Sequence, residues 1–255
     1  MKLSIVTAAL NAADGLGETF GSLLEQTHAD WEYVVIDGGS QDATVSLLHE
    51  WSAHYPGRVR WVSESDSGIY DAMNKGIALS TGDAIGFLGC GDTFYDASSL
   101  RYIDEALSSR VDAVFGDLIF VTHADRSRPV RIWRGSSYRT GIFRSGWQPA
   151  HPTFFARRYC FDRYGGFDVS LAISADFDLM YRFLEVHGIS SRYIPAVLVR
   201  MLNGGTSNGS LRNIMKAHRN IRRAFRKYGS RAPLLYSLRR LLPKLANAVW
   251  MRVSR

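Results

Sequence analysis

Asn11, Asp37, Glu64, Asp66 and Asp92 each stand just beyond a short apolar run of this chain. Amide and carboxylate side chains there suit a hydroxyl-rich ligand, and a carboxylate also suits a divalent cation. Singly, each of these residues also fits a turn or a helix cap. As an ordered series they predict one pocket for a polar ligand, with or without a metal. Other chemistries lack their residues. No G-x-G-x-x-G opens the first helix and no G-x-x-x-x-G-K-[ST] occurs, which disfavours dinucleotide oxidoreductases and P-loop NTPases. There is no G-x-S-x-G, and the seven histidines show no metal-ligand spacing.

The elements that must position this series read as alternating strands and helices. Leu3 to Ala9 is a short apolar strand, and Asn11 to Gly15 is turn chemistry. Residues 15–27 carry Leu16, Phe20, Leu23 and Leu24 at helical spacing. Trp31 to Asp37 is a second strand, followed by Gly38-Gly39-Ser40. Residues 42–52 read as a helix with Asp42 as N-cap. Arg58 to Ser63 is a third strand, Ile69 to Leu79 a helix and Ala84 to Leu88 a fourth strand. This spacing predicts an α/β fold with a mostly parallel central sheet flanked by helices. Ligands of such sheets bind at the carboxyl ends of the strands, where the polar series falls.

At 255 residues with 46% hydrophobic content, the chain suits one full-sized α/β domain with an appendage and is not globally disordered. No run reaches the roughly 18 apolar residues of a membrane span, and no signal peptide is read at the start. Cys90 and Cys160 make neither a disulfide framework nor a zinc site, so a reduced cytosolic chain is expected. The net charge of +7 hides an asymmetry. Residues 1–185 hold 16 Lys and Arg and all 24 Asp and Glu, a net −8; residues 186–255 hold 15 Lys and Arg and no acid, a net +15. An acidic body with a basic end implies an anionic partner for that end.

The residues also carry a family resemblance. Ser4-Ile5-Val6-Thr7-Ala8-Ala9-Leu10-Asn11, followed by Val34-Val35-Ile36-Asp37-Gly38-Gly39-Ser40-Gln41-Asp42, resembles the opening of family 2 glycosyltransferases. The stretch from Glu64 through Ser67-Gly68-Ile69-Tyr70-Asp71-Ala72-Met73-Asn74-Lys75-Gly76 is similar to the branch that builds bacterial exopolysaccharides such as colanic acid. Thr81-Gly82-Asp83 through Asp92, Gly165-Gly166-Phe167-Asp168 and Ala175-Asp176-Phe177-Asp178-Leu179 with Arg182 resemble later landmarks. Together they cover about residues 3–205.

The resemblance implies a GT-A fold over residues 1–205 and inverting transfer from a nucleotide-diphospho-sugar to a saccharide or lipid-linked saccharide. It implies that Thr7, Asn11, Asp37, Asp66, Asn74, Lys75 and Asp92 bind the donor. Asp37 would meet the nucleoside; Lys75 reads equally as a diphosphate contact or an exposed helix lysine. A family D-x-D would hold Mg²⁺ or Mn²⁺, but here the matching positions read Gly89-Cys90-Gly91, so Asp92 is the expected metal ligand. The family's Asp-Asp after the second strand is Asp37-Gly38 here, and its Glu-Asp near the acceptor is Ala175-Asp176. Asp176 is the expected general base, with helix capping as its other reading. Asp178 either caps the helix or pairs with Arg182. His151, in Pro149-Ala150-His151-Pro152, is a weaker acceptor-side candidate, since a lone histidine is more often structural.

Two basic regions complete the reading. Arg126 to Arg144 holds six arginines interleaved with aromatics and reads first as a solvated hairpin edge. A nucleic-acid patch and an acceptor loop meeting a lipid-linked pyrophosphate are its alternatives. Residues 206–255 read as a basic amphipathic helical extension, with one stripe of Ile214, His218, Ile221, Phe225 and Tyr228 and a second of Leu234, Leu238, Leu241, Leu245 and Val249. Such helices suit an anionic membrane surface, giving an expected peripheral location on the cytoplasmic face of the plasma membrane. The rival reading, a nucleic-acid-binding protein, explains the charge but not the acidic strand ends, which would repel phosphates. A nucleotidyltransferase would need a Gly-rich basic loop near the N-terminus, which is missing.

Overall fold

The computed structural model of the protein describes residues 1–203, 211–233 and 236. Its first half repeats strand and helix as the apolar runs require. The elements are β1 (Leu3–Ala9), α1 (Ala13–Leu24), β2 (Trp31–Asp37), α2 (Thr44–His54), β3 (Val59–Ser63), α3 (Ile69–Leu79) and β4 (Ala84–Phe87). Then come β5 (Thr93–Phe94), α4 (Ser99–Ser108), β6 (Ala113–Val121), β7 (Arg131–Trp133), β8 (Phe155–Arg157) and α5 (Arg158–Tyr164). Next, α6 (Ala175–Tyr181) runs into a π-helical turn (Arg182–Val186), followed by β9 (Ser191–Leu202) and α7 (Leu211–Lys227).

One sheet runs β3-β2-β1-β4-β8-β6-β9-β5, with β7 paired to β6. β1, β2, β3 and β4 are mutually parallel, and β9 is parallel to β6, while β8, β5 and β7 run antiparallel to their neighbours. Side chains alternate across a strand, and this sorts the core into two layers. Leu3, Ile5, Tyr33 and Val35 face Leu16, Phe20, Leu48 and Ile103 of α1, α2 and α4. Val6, Val34 and Ile36 face the layer of α3, α5, α6 and α7. The mostly parallel sheet with helices on both faces matches the expectation.

Register places the carboxyl ends of β1 to β4 on one rim: Ala9 pairs with Asp37, Asp37 with Ser63, and Val6 with Phe87. The arginine-rich segment forms an edge hairpin through β7, as its first reading has it. Part of the first C-terminal stripe packs on the body. Ile221, Ala224 and Phe225 of α7 are buried, and Phe225 packs on Phe177 and Tyr181 of α6. Through these residues the second half of α7 packs on the body. The second stripe, Leu234 to Val249, lies outside the described residues.

Candidate active site

Three loops at the rim are tied together by side chains of the predicted series. Asn11, in the left-handed region at φ 47°, accepts from the Gln41 N–H at 2.8 Å, and its own N–H donates to Ser40 Oγ at 2.7 Å. Asp37 is fully buried. Its Oδ2 accepts from the Gly39 and Ser40 N–H groups at 3.1 and 3.0 Å and from Ser63 Oγ at 2.6 Å, while Oδ1 accepts from Ser40 Oγ. Burial pushes the Asp37 pKa up, and the donors from Ser40, Ser63 and Gly39 outweigh this and hold it below the usual carboxylate range. In this structure Asp37 shapes the Gly38–Ser40 loop.

Asp66 reaches over Gly38, where the family pattern has a second Asp. A Cβ at Gly38 would lie 2.7 Å from Asp66 Oδ2. The carboxylate from the loop after β3 occupies the space a residue-38 side chain needs. Asp66 Oδ1 accepts from the Gly68 N–H at 2.8 Å, which starts α3 at a glycine with φ 119°. Lys75 holds the same loop from α3, with Nζ 2.7 Å from Glu64, 2.9 Å from the Ser65 carbonyl and 3.8 Å from Asp71. The hydrogen bond to Glu64 keeps its pKa raised.

Two expected donor contacts are corrected. Thr7 is fully buried and donates to the Leu88 carbonyl at 2.7 Å. Alternation along β1 puts it in phase with Leu3 and Ile5, facing the layer of α1 rather than a ligand. Asn74 gives both ends of its amide to one backbone unit: Nδ2 donates to the Phe167 carbonyl at 2.9 Å and Oδ1 accepts from the Phe167 N–H at 2.7 Å. It clamps the Gly165–Phe167 loop, and a Cβ at Gly166 would collide with its Oδ1.

The loop after β4 is built for close approach. Gly91 has φ 84°, its N–H meets Thr19 Oγ1 at 2.9 Å and Gly15 O at 3.1 Å, and a Cβ on Gly15 would lie 3.1 Å from Gly91 N. Asp92 is 6% exposed, and its Oδ1 accepts from the Leu202 N–H of β9 at 2.9 Å. Burial pushes its pKa up to about 7, which the Leu202 and Gly89 N–H groups and the charge of Arg126 only partly offset. Its Oδ2 lies beside Gly89, where a Cβ would come within 2.7 Å. Among the described residues no three His, Cys, Asp or Glu side chains group to hold a metal. Asp92 alone does not make a metal site of side chains; its Oδ2, beside Gly89, is the carboxylate oxygen that would meet an ion here. The sequence reading missed Arg126 here: Nη1 donates to the Gly91 carbonyl at 2.9 Å and stands 3.8 Å from Glu18. Arginine density marked its segment, but nothing along the chain tied it to this loop.

A second cluster gathers against the last residue of β4. His151 stacks on Phe87 with centroids 5.4 Å apart and meets the edge of Phe167 at 5.7 Å. Its Nε2 is buried with no hydrogen-bond partner among the described residues. Burial holds its pKa below the usual imidazole range, against the charge of Asp176. Asp176, half-buried in the first turn of α6, accepts from Tyr70 Oη at 3.3 Å. Ser174 enters this helix at φ 71°, a conformation rare for a residue with a Cβ. Asp178 points the other way. It is fully buried, 3.8 Å from Arg182 and from Lys227, and accepts from Tyr228 Oη at 3.3 Å. Asp168 also pairs with Lys227, at 2.8 Å. The structure thus brings Asn11, the Asp37 loop, Asp66 and Asp92 to one rim, and gathers His151 and Asp176 beside β4.

Comparison with known proteins bears on the fold and the family. Residues 4–165 match the family model for glycosyl transferase family 2. A PGL/p-HBAD biosynthesis glycosyltransferase of Mycobacterium tuberculosis is 31% identical over 209 residues, covering 80% of this chain and 78% of that protein. Two solved structures share the fold. Staphylococcus aureus TarS 1-349 in complex with UDP-GlcNAc has a TM-score of 0.65 at 16% identity, over 94% of this chain and 69% of that one. Mannosyltransferase PcManGT from Pyrobaculum calidifontis, in complex with GDP-Man and Mn²⁺, has a TM-score of 0.65 at 18% identity, over 99% and 73%. With a sheet of this topology, its carboxyl rim lined by Asn11, Asp37, Asp66 and Asp92, and more than half the chain under one family model, the protein is a glycosyltransferase and belongs to glycosyl transferase family 2.

Proposed function

We propose that this chain transfers a sugar from a nucleotide-diphospho-sugar to a saccharide hydroxyl with inversion at the anomeric carbon. The observation that supports the reading is Asp176, which accepts from Tyr70 Oη and whose charge acts on His151, a ring stacked on Phe87 at the end of the strand whose following loop carries Asp92. The acceptor oxygen attacks the anomeric carbon, its proton passes to the Asp176 carboxylate, and the bond to the diphosphate oxygen breaks with its electron pair leaving on the diphosphate. Attack from the face opposite the leaving group inverts the centre. Asn11, Asp66 and the loop shaped by Asp37 line the nucleoside side of the pocket. Arg126, fixed on Gly91, sets a positive charge beside the leaving diphosphate. Mg²⁺ or Mn²⁺ is assigned to Asp92, where it would offset diphosphate charge when bound.

A saccharide or lipid-linked saccharide acceptor, and a place in surface or exopolysaccharide biosynthesis, rest on the resemblance of Glu64–Gly76. Peripheral contact with an anionic membrane on its cytoplasmic side is assigned to the basic residues beyond Tyr236, among them Arg239, Arg240, Lys244 and Arg252. No helix among the described residues is long and apolar enough to cross a membrane. The reading is tested by turnover of UDP- and GDP-sugars, with thermal shifts by the nucleoside diphosphates with and without Mg²⁺ or Mn²⁺. A protein that neither binds nor turns over any such donor ends it, as does an Asp176→Asn variant that transfers sugar at the wild-type rate.

A further inference from the structure

The two basic stretches of this sequence meet in space. Arg144, at the end of the edge-hairpin segment, donates through Nη1 to Ser230 Oγ at 3.4 Å, just past the C-terminus of α7. Beside Ser230 opens a cavity of about 610 Å³, bordered by Arg222, Arg226 and Arg231. Arg222 and Arg226 stand one turn apart on the face of α7 turned from the core, and Arg231 follows the helix. Basic side chains in a last helical turn complement the helix dipole, which accounts for Arg226 but not for Arg231 or Arg144.

Arg222, Arg226 and Arg231 border one cavity, and Arg144 is bonded at its edge through Ser230, so like charges gather here. No carboxylate lies within 4.0 Å of any of the four among the described residues. Glu185, which shares the surroundings of Tyr181 with Arg144, already accepts from Tyr138 Oη at 2.9 Å and from the Gly141 N–H at 2.7 Å. Asp168 and Asp178, beside a smaller cavity that Arg226 also borders, pair with Lys227. No Asp or Glu follows Glu185 anywhere in the sequence, so no side chain of the remaining residues can neutralise the cluster.

We propose that this cavity binds a phosphate-bearing anion. Guanidinium groups match phosphate oxygens in paired, charge-assisted hydrogen bonds, and the hydroxyl of Ser230 adds a neutral donor. The anion is either the phosphate of a membrane lipid headgroup or a soluble diphosphate; both present the same oxygens. The site stands apart from the transferase reading: none of Asn11, Asp37, Asp66, Asp92, His151 or Asp176 borders the cavity.

The test uses the full chain and the triple variant Arg222→Gln/Arg226→Gln/Arg231→Gln. One arm measures inorganic pyrophosphate binding by equilibrium dialysis at low salt. The other measures co-sedimentation with phosphatidylcholine vesicles containing about one third phosphatidylglycerol. Nucleotide-sugar hydrolysis is followed in parallel. The wild type should bind one pyrophosphate equivalent more than the triple variant, or sediment about tenfold more strongly, with hydrolysis and melting temperature unchanged. Loss in the dialysis arm identifies a soluble diphosphate as ligand, and loss in the vesicle arm alone identifies a lipid headgroup. The corresponding Arg→Lys triple variant should keep part of the binding, because charge remains while the paired geometry goes. Equal binding by wild type and Gln variant in both arms overturns the proposal, as does no wild-type binding in either arm. Parallel loss of donor hydrolysis also overturns it, by showing that the arginines serve the donor pocket.

Discussion

The amino and carboxyl rims of this sheet treat buried carboxylates in opposite ways. At the amino rim, Glu32 is fully buried at the start of β2, yet its oxygens accept from Ser4 Oγ at 2.6 Å, Thr81 Oγ1 at 2.6 Å and the Gly82 N–H at 3.1 Å, with Lys2 at 2.9 Å. Burial raises its pKa, but these donors win and hold it down at about 2. At the carboxyl rim, Asp92 is almost as buried and receives a backbone N–H from Leu202, and burial wins, at about 7. The first carboxylate is satisfied by its own chain; the second is left short of donors. Such a deficit suits a place that a ligand completes, which is consistent with the proposed role of Asp92, whereas Glu32 is satisfied within the fold.

The comparison can be broken at several points. The largest effect is expected for Asp176→Asn, which should lower transfer by about 10²- to 10⁴-fold with donor affinity retained; single-turnover transfer beside donor titration separates the two. Glu32→Gln comes next, at roughly 2 kcal/mol of lost stability in urea unfolding at pH 7. Its pH dependence has a definite sign. Glu32 titrates lower in the folded than in the unfolded chain, so its contribution is complete above the unfolded value near 4.5 and fades as pH falls through about 2. The variant should therefore approach wild-type stability at low pH.

Asn74→Ala should cost about 1–2 kcal/mol, because it leaves the Phe167 backbone without its clamp, while donor affinity stays unchanged. A large fall in donor affinity at constant stability would return Asn74 to the donor pocket. The smallest effect belongs to Asp92→Asn, and it has the opposite sign to Glu32→Gln. Asp92 releases its proton near 7 when folded and near 3.8 when unfolded, so between these values the folded state holds more protons and stability falls as pH rises. Asparagine carries no such cost. The variant should melt above the wild type at pH 8, with the difference closing near pH 4. It should also lose any stabilisation by a nucleoside diphosphate that depends on added Mn²⁺. A marked loss of stability at pH 8 would show that both rims do the same structural work.

The rim itself was legible because each strand ends where an apolar run meets a polar residue, and parallel pairing then aligns those ends. The corrections at Thr7 and Asn74 have another cause. A motif says which residues recur together, whereas alternation along β1 decides that Thr7 faces α1, and the Gly165–Phe167 loop decides that both ends of the Asn74 amide are taken. Asp176 and Asp178 stand two residues apart; on α6 one meets Tyr70, and the other meets Arg182, as one of its two readings has it, together with Lys227.

The sequence by itself determined the order of strands and helices, the acidic series at the strand ends and the split between an acidic body and a basic end, since these depend only on residue type and local period. Tertiary structure alone decided that Arg126 reaches Gly91, that Asp66 reaches over Gly38, that part of α7 packs on the core, and that Arg144 reaches Ser230 just past α7. Each of these is a contact between segments far apart in the chain, and a period tells which face of an element turns inward but not what it meets there.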